Sequence, residues 1–278
     1  MKLKRIKKIP EIEKLYTFLG NSFEREMLTL ALRNYCSMGN PIRFNNFAYV
    51  MRELLTVALN RLAPKENVID AQWYERESDD FEVTRRQQLK FCAQGYFIDS
   101  LVPDYVEKEK SKLLGDFAKL YRKLNQYTHI NEKYIKLSPQ TSFAFLKDLI
   151  SIFSSILEFS SLINEHIVQS VEESVRGIIF NHLFFESHEA LIELSGQTIV
   201  EGVYIEDYSL FDITEDMLIF DGNGYVECEL NYGSGNDGVS MGHSVPFLFS
   251  VESMMNDHKK LELCEEGGMI LDNSGFYE

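Results

Sequence analysis

The stretch DYVEKEKSKLLGDFAKLYRKLNQYTHINEKY, residues 104–134, decides how this chain is read. Its apolar residues Leu113, Leu114, Phe117, Leu120, Tyr121 and Leu124 recur at spacings of three and four, which predicts a helix with one buried face ending just before a histidine. Arg122 and His129 are seven residues apart, close to two helical turns, so a helix persisting that far would bring both side chains to one face. A guanidinium keeps its charge and can neutralise a phosphate bidentately, whereas an imidazole titrates near neutral pH and can move a proton. The pair therefore suits phosphate chemistry. The same letters also describe a solvated helix face followed by a loop histidine. Arg176 and His182 make a second pair of similar spacing, but His182 lies among Ile178, Ile179, Phe180, Leu183, Phe184 and Phe185, company that points to a structural histidine.

Working outward, 278 residues with 45% hydrophobic content supply one large core or two modest ones. Cys36, Cys92, Cys228 and Cys264 lie far apart with no C-x-x-C pair, the usage of a reduced cytoplasmic protein, not of a disulfide scaffold or zinc ribbon. The basic N-terminus (Lys2, Lys4, Arg5, Lys7, Lys8) is not followed by an apolar run, so no secretion signal is expected. The most apolar run, Phe143 to Ile163, holds Lys147, Asp148 and Glu158; it is expected to be a buried helix, with no membrane partner.

The net charge of −15 is not spread evenly. Residues 196–278 contain 17 acidic and 2 basic residues, while residues 1–195 contain 26 of each sign. The whole acidic excess sits in the last third, and the first two thirds can still present basic patches to a phosphate backbone. This asymmetry places an expected domain boundary at Ser195-Gly196, giving a helical domain over 1–195 and an acidic α+β domain over 196–278.

Along the first part, Pro10 suits a first helical turn, and residues 11–35 read as helix broken at Gly20-Asn21-Ser22. Gly39-Asn40-Pro41 is a turn, and the stripe Phe44, Phe47, Val50, Leu54, Leu55 and Ala58 predicts a helix ended by Pro64. Residues 65–82 read as a polar loop carrying the only tryptophan, Trp73. Thr84 starts the next helix and Gly95 stops it. Arg85 and Arg86 in its first turn run against the helix dipole and are candidates for phosphate or partner contact, or for a surface salt bridge. After Ser138-Pro139 a long apolar helix is expected over about 141–165, then a further helical stretch over about 167–194.

From Gly196 the texture changes. TIVEGVYIEDYSLFDIT and MLIFDGNGYVECELNYGS alternate and are rich in β-branched and aromatic residues, and Asp221-Gly222-Asn223-Gly224 signals a hairpin turn. Tyr225, Glu227 and Glu229 should face one way, and Val226, Cys228 and Leu230 the other. Glu227, Glu229 and Asp237 form either a metal-binding carboxylate cluster or an exposed acidic strand face. Gly233–Gly238 is a loop without the lysine and following helix of a phosphate-binding loop. The tail from Lys259 is acidic, turns at Gly267-Gly268 and is expected to end loosely.

The central segment YRKLNQYTHIN (121–131) resembles the active-site segment of HEPN-superfamily proteins. In these an Arg late in one helix and a His beyond it form a metal-independent ribonuclease site. NPIRFNNFAYVMREL (40–54), APKENVIDAQWYERESDD (63–80), TRRQQLKFCAQG (84–95) and VECELNYGSGND (226–237) resemble one branch, the predicted pPIWI-associating nucleases of prokaryotic defence loci. The resemblance implies a helical HEPN-like domain followed by a smaller β-rich α+β domain, with Arg122 and His129 as the catalytic pair and no metal or other cofactor. It implies RNA as substrate, a homodimer pairing two such motifs, and a partner protein of the same defence system. The family usually places Asn, Asp or His directly after the Arg; here Lys123 stands there, and Asn125 is the candidate polar partner. Lys123, Arg85 and Arg86 are the candidate substrate-binding cations. Two other readings stand beside the ribonuclease: a non-catalytic HEPN-like module whose acidic C-terminal domain docks a basic partner, and a metal-dependent nuclease built on Glu227, Glu229 and Asp237.

Overall fold

The computed structural model describes residues 2–233 and 237–276. Its architecture is α+β: helices come first and a five-stranded antiparallel sheet follows. The chain divides into two compact units between Ile163 and Asn164. Among the described residues no helix is long and apolar enough to cross a membrane.

The first unit carries α1 (Leu3–Ile6), α2 (Pro10–Phe18), α3 (Ser22–Cys36), α4 (Arg43–Leu62), α5 (Lys65–Asp70), α6 (Arg85–Gln94), α7 (Asp104–Thr128), α8 (Glu132–Ile135) and most of α9 (Pro139–Ser170). Several boundaries follow directly from local chemistry. The break expected at Gly20-Asn21-Ser22 is real: Asn21 is the N-cap of α3, and its side chain accepts from the backbone N–H of Glu24 at 2.8 Å. Thr84 and Gln87 form a capping box at the start of α6, and Gly95, at φ +56°, ends it. Residues 65–82 are not wholly loop. Val68 is buried against Ala63, Val83 and Phe91, which gives α5 an apolar anchor, and the Trp73 indole donates to the Gly95 carbonyl at 2.8 Å.

The buried stripe of α7 is Val106, Lys110, Leu114, Phe117 and Leu124, with Leu113, Leu120 and Tyr121 half-buried beside it. Lys110 interrupts this apolar face. Its ammonium lies against Gln94 Oε1 and the Glu107 carboxylate, and burial holds its pKa below the usual lysine range despite Glu107. A second buried charge fastens α3 to α4. Glu24 is fully buried and accepts from Arg61 through Nε at 2.7 Å and Nη2 at 2.9 Å, while the Gly20 N–H adds a third bond at 3.0 Å.

The second unit contains the end of α9, α10 (Glu172–Phe185), α11 (Glu189–Ile192) and strands β1 (Gln197–Ile213), β2 (Met217–Tyr232), β3 (Val239–Met254), β4 (Leu261–Leu263) and β5 (Met269–Leu271). The sheet order is β1-β2-β3-β4, and β5 also pairs with β3. The sheet begins where the texture changes, just past Ser195-Gly196. Helices α10 and α11 nevertheless belong to this unit, because α10 packs on β1, and Leu191 and Leu194 share a core with Val226, Cys228, Leu230 and Val245. As expected, Val226, Cys228 and Leu230 are buried while Glu227 is exposed and Tyr225 and Glu229 are half-buried on the opposite face.

Two expectations need correction here, and one strand had no expectation at all. Asp221–Gly224 is not a turn but the middle of β2, paired with β1 through Ser209↔Asp221 and Ile205↔Gly224; the chain reverses at residues 214–216 instead. Its glycines serve close approach. A Cβ on Gly224 would lie 2.1 Å from the Tyr204 carbonyl oxygen, and one on Gly222 would lie 2.4 Å from the Phe249 ring, beside the register shift between Ile205 and Asp207. Next, the sequence reading assigns no strand over β3, which buries Val245, Phe247, Phe249 and Val251 in alternation and leaves Pro246 exposed on the other face. Last, the tail does not end loosely through residue 276: it supplies β4, β5 and a closing turn whose Phe276 packs on the core, with Gly267 at φ +72° making the turn between the strands. Of the Gly233–Gly238 loop, Ser234–Asn236 lie outside the described residues.

Three outcomes test this packing. Arg61→Ala leaves Glu24 buried without its cation and should destabilise the first unit by about 3 kcal/mol in urea unfolding. Burial pushes the Glu24 carboxyl up, but the hydrogen bonds from Arg61 and Gly20 more than offset this and hold it below its ordinary 4.5. Its contribution is therefore present above the unfolded-state value and lost as the pH falls through the folded one, so acid should lower the wild-type midpoint more steeply than that of Glu24→Gln. In the sheet, Gly224→Ala should cost about 2–3 kcal/mol by calorimetry, since the backbone of β1 must move to admit the methyl.

Candidate functional site

The helix α7 runs to Thr128, and His129 is its C-cap, with extended backbone at φ −87° and ψ +131°. The C-terminal carbonyls of a helix have no partner within it. Here one side chain from elsewhere supplies two bonds. Asn45, on α4 and 3% exposed, donates from Nδ2 to the carbonyls of Tyr127 at 2.9 Å and His129 at 3.1 Å. Its Oδ1 makes no bond within the described residues. The orientation is fixed all the same, because the flipped amide would press its oxygen against two carbonyl oxygens.

The ring of Tyr127 completes the anchor. It sits edge-to-face against Phe44 of α4 at 5.0 Å, Phe145 of α9 at 4.9 Å and Tyr134 of α8 at 5.2 Å. Burial raises its phenol pKa, with Tyr134 adding to the effect. Beyond His129, the Asn131 side chain accepts from the Tyr134 N–H at 3.1 Å and starts α8. The backbone around His129 is thus held on both sides.

The side chains above this anchor are free. Arg122, Lys123 and His129 are exposed, and none makes an ion pair among the described residues. The one bond of the Arg122 guanidinium is a long one to its own helix, from Nε to the Ala118 carbonyl at 3.4 Å. Asn125 is half-buried, and its carbonyl accepts from Thr128 Oγ1 at 2.7 Å. The last turns of α7 therefore present a guanidinium, an ammonium and an imidazole to solvent from a fixed backbone. That arrangement can receive an anion and exchange a proton with it.

The other candidates lie elsewhere. Arg85 is engaged by Gln88 Oε1 at 2.7 Å and Asn60 Oδ1 at 3.3 Å. Arg86 faces Glu77 at 3.9 Å and lines a cavity with Trp73, Lys90, Glu107, Lys110 and Leu114. That cavity reaches no further along α7 than Leu114, so about 12 Å of helix separates it from Arg122. In the second unit, Arg176 pairs with Glu172 at 3.0 Å, and His182 is mostly buried against Glu186 at 2.8 Å and the His188 ring, the structural role expected of it. Among the described residues no group of three His, Cys, Asp or Glu could hold a metal ion, so Glu227, Glu229 and Asp237 do not form one.

Sequence reasoning missed Asn45. It sits inside the quoted stretch 40–54, but its partners are 82 and 84 residues away, and no local pattern marks such a contact. Asn45→Ala should cost about 2 kcal/mol, the loss of two hydrogen bonds, and should speed amide exchange over residues 128–131 relative to the rest of α7. Asn45→Asp should be worse than Ala, because it sets a carboxylate against two carbonyls.

Neither a curated protein nor a solved structure matches the chain significantly. Two family models do, and both carry the description predicted pPIWI-associating nuclease. One matches residues 16–153, which include α4, α7 and the Arg122–His129 segment; the other matches residues 161–277, which include the whole sheet. With the two matches together covering nearly all of it, the chain belongs to the predicted pPIWI-associating nucleases.

Proposed function

We propose that this nuclease is a metal-independent endoribonuclease of the HEPN type, acting in a prokaryotic antiphage defence system, with its centre at the C-terminal end of α7. The observation that supports the reading is that the exposed Arg122 and His129 side chains, which make no ion pair among the described residues, stand on a backbone locked by Asn45 and Tyr127. His129 takes the proton of an RNA 2′-hydroxyl, directly or through a water, and the 2′-oxygen attacks the adjacent phosphorus. The bond from phosphorus to the 5′-oxygen breaks, leaving a 2′,3′-cyclic phosphate and a 5′-hydroxyl that takes its proton from water. Arg122 stabilises the charge that develops on the phosphoryl oxygens, and Asn125 serves as the polar partner. Lys123 steadies the backbone of the RNA, and Arg85 and Arg86 are secondary phosphate contacts. DNA lacks the attacking hydroxyl and is spared. By the resemblance stated above, two copies pair their motifs in a cytoplasmic homodimer.

A second reading, a binding module without turnover, is favoured by Lys123, which stands where related motifs carry Asn, Asp or His. One assay separates the two. Purified protein incubated with mixed RNA and single-stranded DNA in excess chelator should cut only the RNA and leave cyclic phosphate ends. His129→Ala should lose this activity by at least about a hundredfold, and Arg122→Ala comparably, with unfolding midpoints unchanged. Cleavage of both nucleic acids, or cleavage that survives in His129→Ala, would sink the proposal.

A further inference from the structure

The sheet of the second unit has two faces, and only one is filled by the core. On the opposite face a groove of about 660 Å³ runs across β1, β2, β3 and β5. Its floor is apolar and open: Phe211 is 70% exposed, Leu248 58% and Ile270 53%. Leu248 and Ile270 are direct cross-strand partners, and Phe211 is pushed outward by the register shift between Leu210 and Asp212. Large exposed apolar side chains gathered in one groove are what a protein-binding surface has and an ordinary solvated sheet face lacks.

The rim decides what binds. Asp221, Glu252, Glu265 and Glu266 line the groove, and no lysine or arginine does. Two of these carboxylates, Glu265 and Glu266, ride on the turn that Gly267 makes possible between β4 and β5. A phosphate backbone would be repelled here. The chain's own basic segment is already committed, since Ile6 in its midst is fully buried in the first unit. We infer that this groove docks a basic amphipathic segment of a partner protein, its apolar side chains on Phe211, Leu248 and Ile270 and its lysines or arginines against the four carboxylates. Apolar anchors in a groove supply affinity, and the charged rim supplies rate and selectivity. The inference is independent of the ribonuclease reading, because no group in the groove belongs to the Arg122–His129 site.

The test uses the full chain and a labelled synthetic peptide of alternating leucine and lysine, followed by fluorescence anisotropy. Peptides with serine for leucine and with glutamate for lysine serve as comparisons. The wild type should bind the leucine–lysine peptide at least about tenfold tighter than either comparison peptide. The variants Phe211→Ser/Leu248→Ser and Glu265→Lys/Glu266→Lys change only surface residues and should each weaken binding about tenfold. Glu173→Lys/Glu189→Lys, with the same charge change outside the groove, should move it less than about twofold. Equal binding of the serine peptide would show that the apolar floor is idle and overturn the inference. Equal loss in the two charge variants would reduce it to bulk attraction and overturn it too. If Phe211→Ser/Leu248→Ser instead converts an oligomer of this chain to monomer in sedimentation, the occupant is a second copy and the basic partner is ruled out.

Discussion

The site proposed for catalysis rests on how one helix is made to end. A helix leaves its last carbonyls unsatisfied, and most helices turn to water, a glycine or a tightened last turn. The helix α7 instead receives the buried amide of Asn45, which gives both of its hydrogens to the carbonyls of Tyr127 and His129. The Tyr127 ring, wedged between Phe44 and Phe145, allows that terminus no sideways freedom. The result is a division of labour within a few residues. Backbone and the inward side chains are fixed by α4 and α9, while Arg122, Lys123 and His129 carry no structural duty. A site needs that combination, reactive groups that are free on supports that are not.

Charge follows the same division. In the first unit the buried charges are matched: Glu24 with Arg61, and Lys110 with Glu107 and Gln94. Unpaired buried charge would cost several kcal/mol, so a cation in the interior is already used up by its partner. Exposed cations remain, Arg122 and Lys123 at the end of α7 among them, in a unit whose overall balance can tolerate a phosphate backbone. The second unit carries the acidic excess and could not. Its open sheet face is lined by carboxylates, a field that repels a phosphate backbone and attracts basic groups.

The sequence was legible where structure is local. Asn21, Thr84 and Gly95 mark helix ends because capping acts over three or four residues, and the stripe on α7 emerges from spacing alone. The alternation of Val226, Cys228 and Leu230 against Glu227 and Glu229 gave away the faces of β2 for the same reason. What failed was non-local. Asp-Gly-Asn-Gly has the composition of a turn, yet its glycines answer to Tyr204 and Phe249 on neighbouring strands. Lys110 on a buried stripe and Asn45 beneath His129 make sense only with partners that the fold, not the sequence order, brings near.

The departure at Lys123 becomes less disruptive when the helix is laid out by angle. Each residue advances about 100° around the axis. Taking Arg122 as zero, Lys123 stands about a quarter turn away and Asn125 about 60° to the other side, while His129 follows as the C-cap with extended backbone. Asn125 is therefore nearer in angle to Arg122 than the residue directly after the Arg is. It is also half-buried, which limits its rotamers, where Lys123 is exposed and mobile on a long stem. On the ribonuclease proposal, a polar amide on that side and an ammonium on the far edge divide what the resembled motif asks of one residue: Asn125 would orient a hydrogen bond, and Lys123 would meet the phosphate backbone.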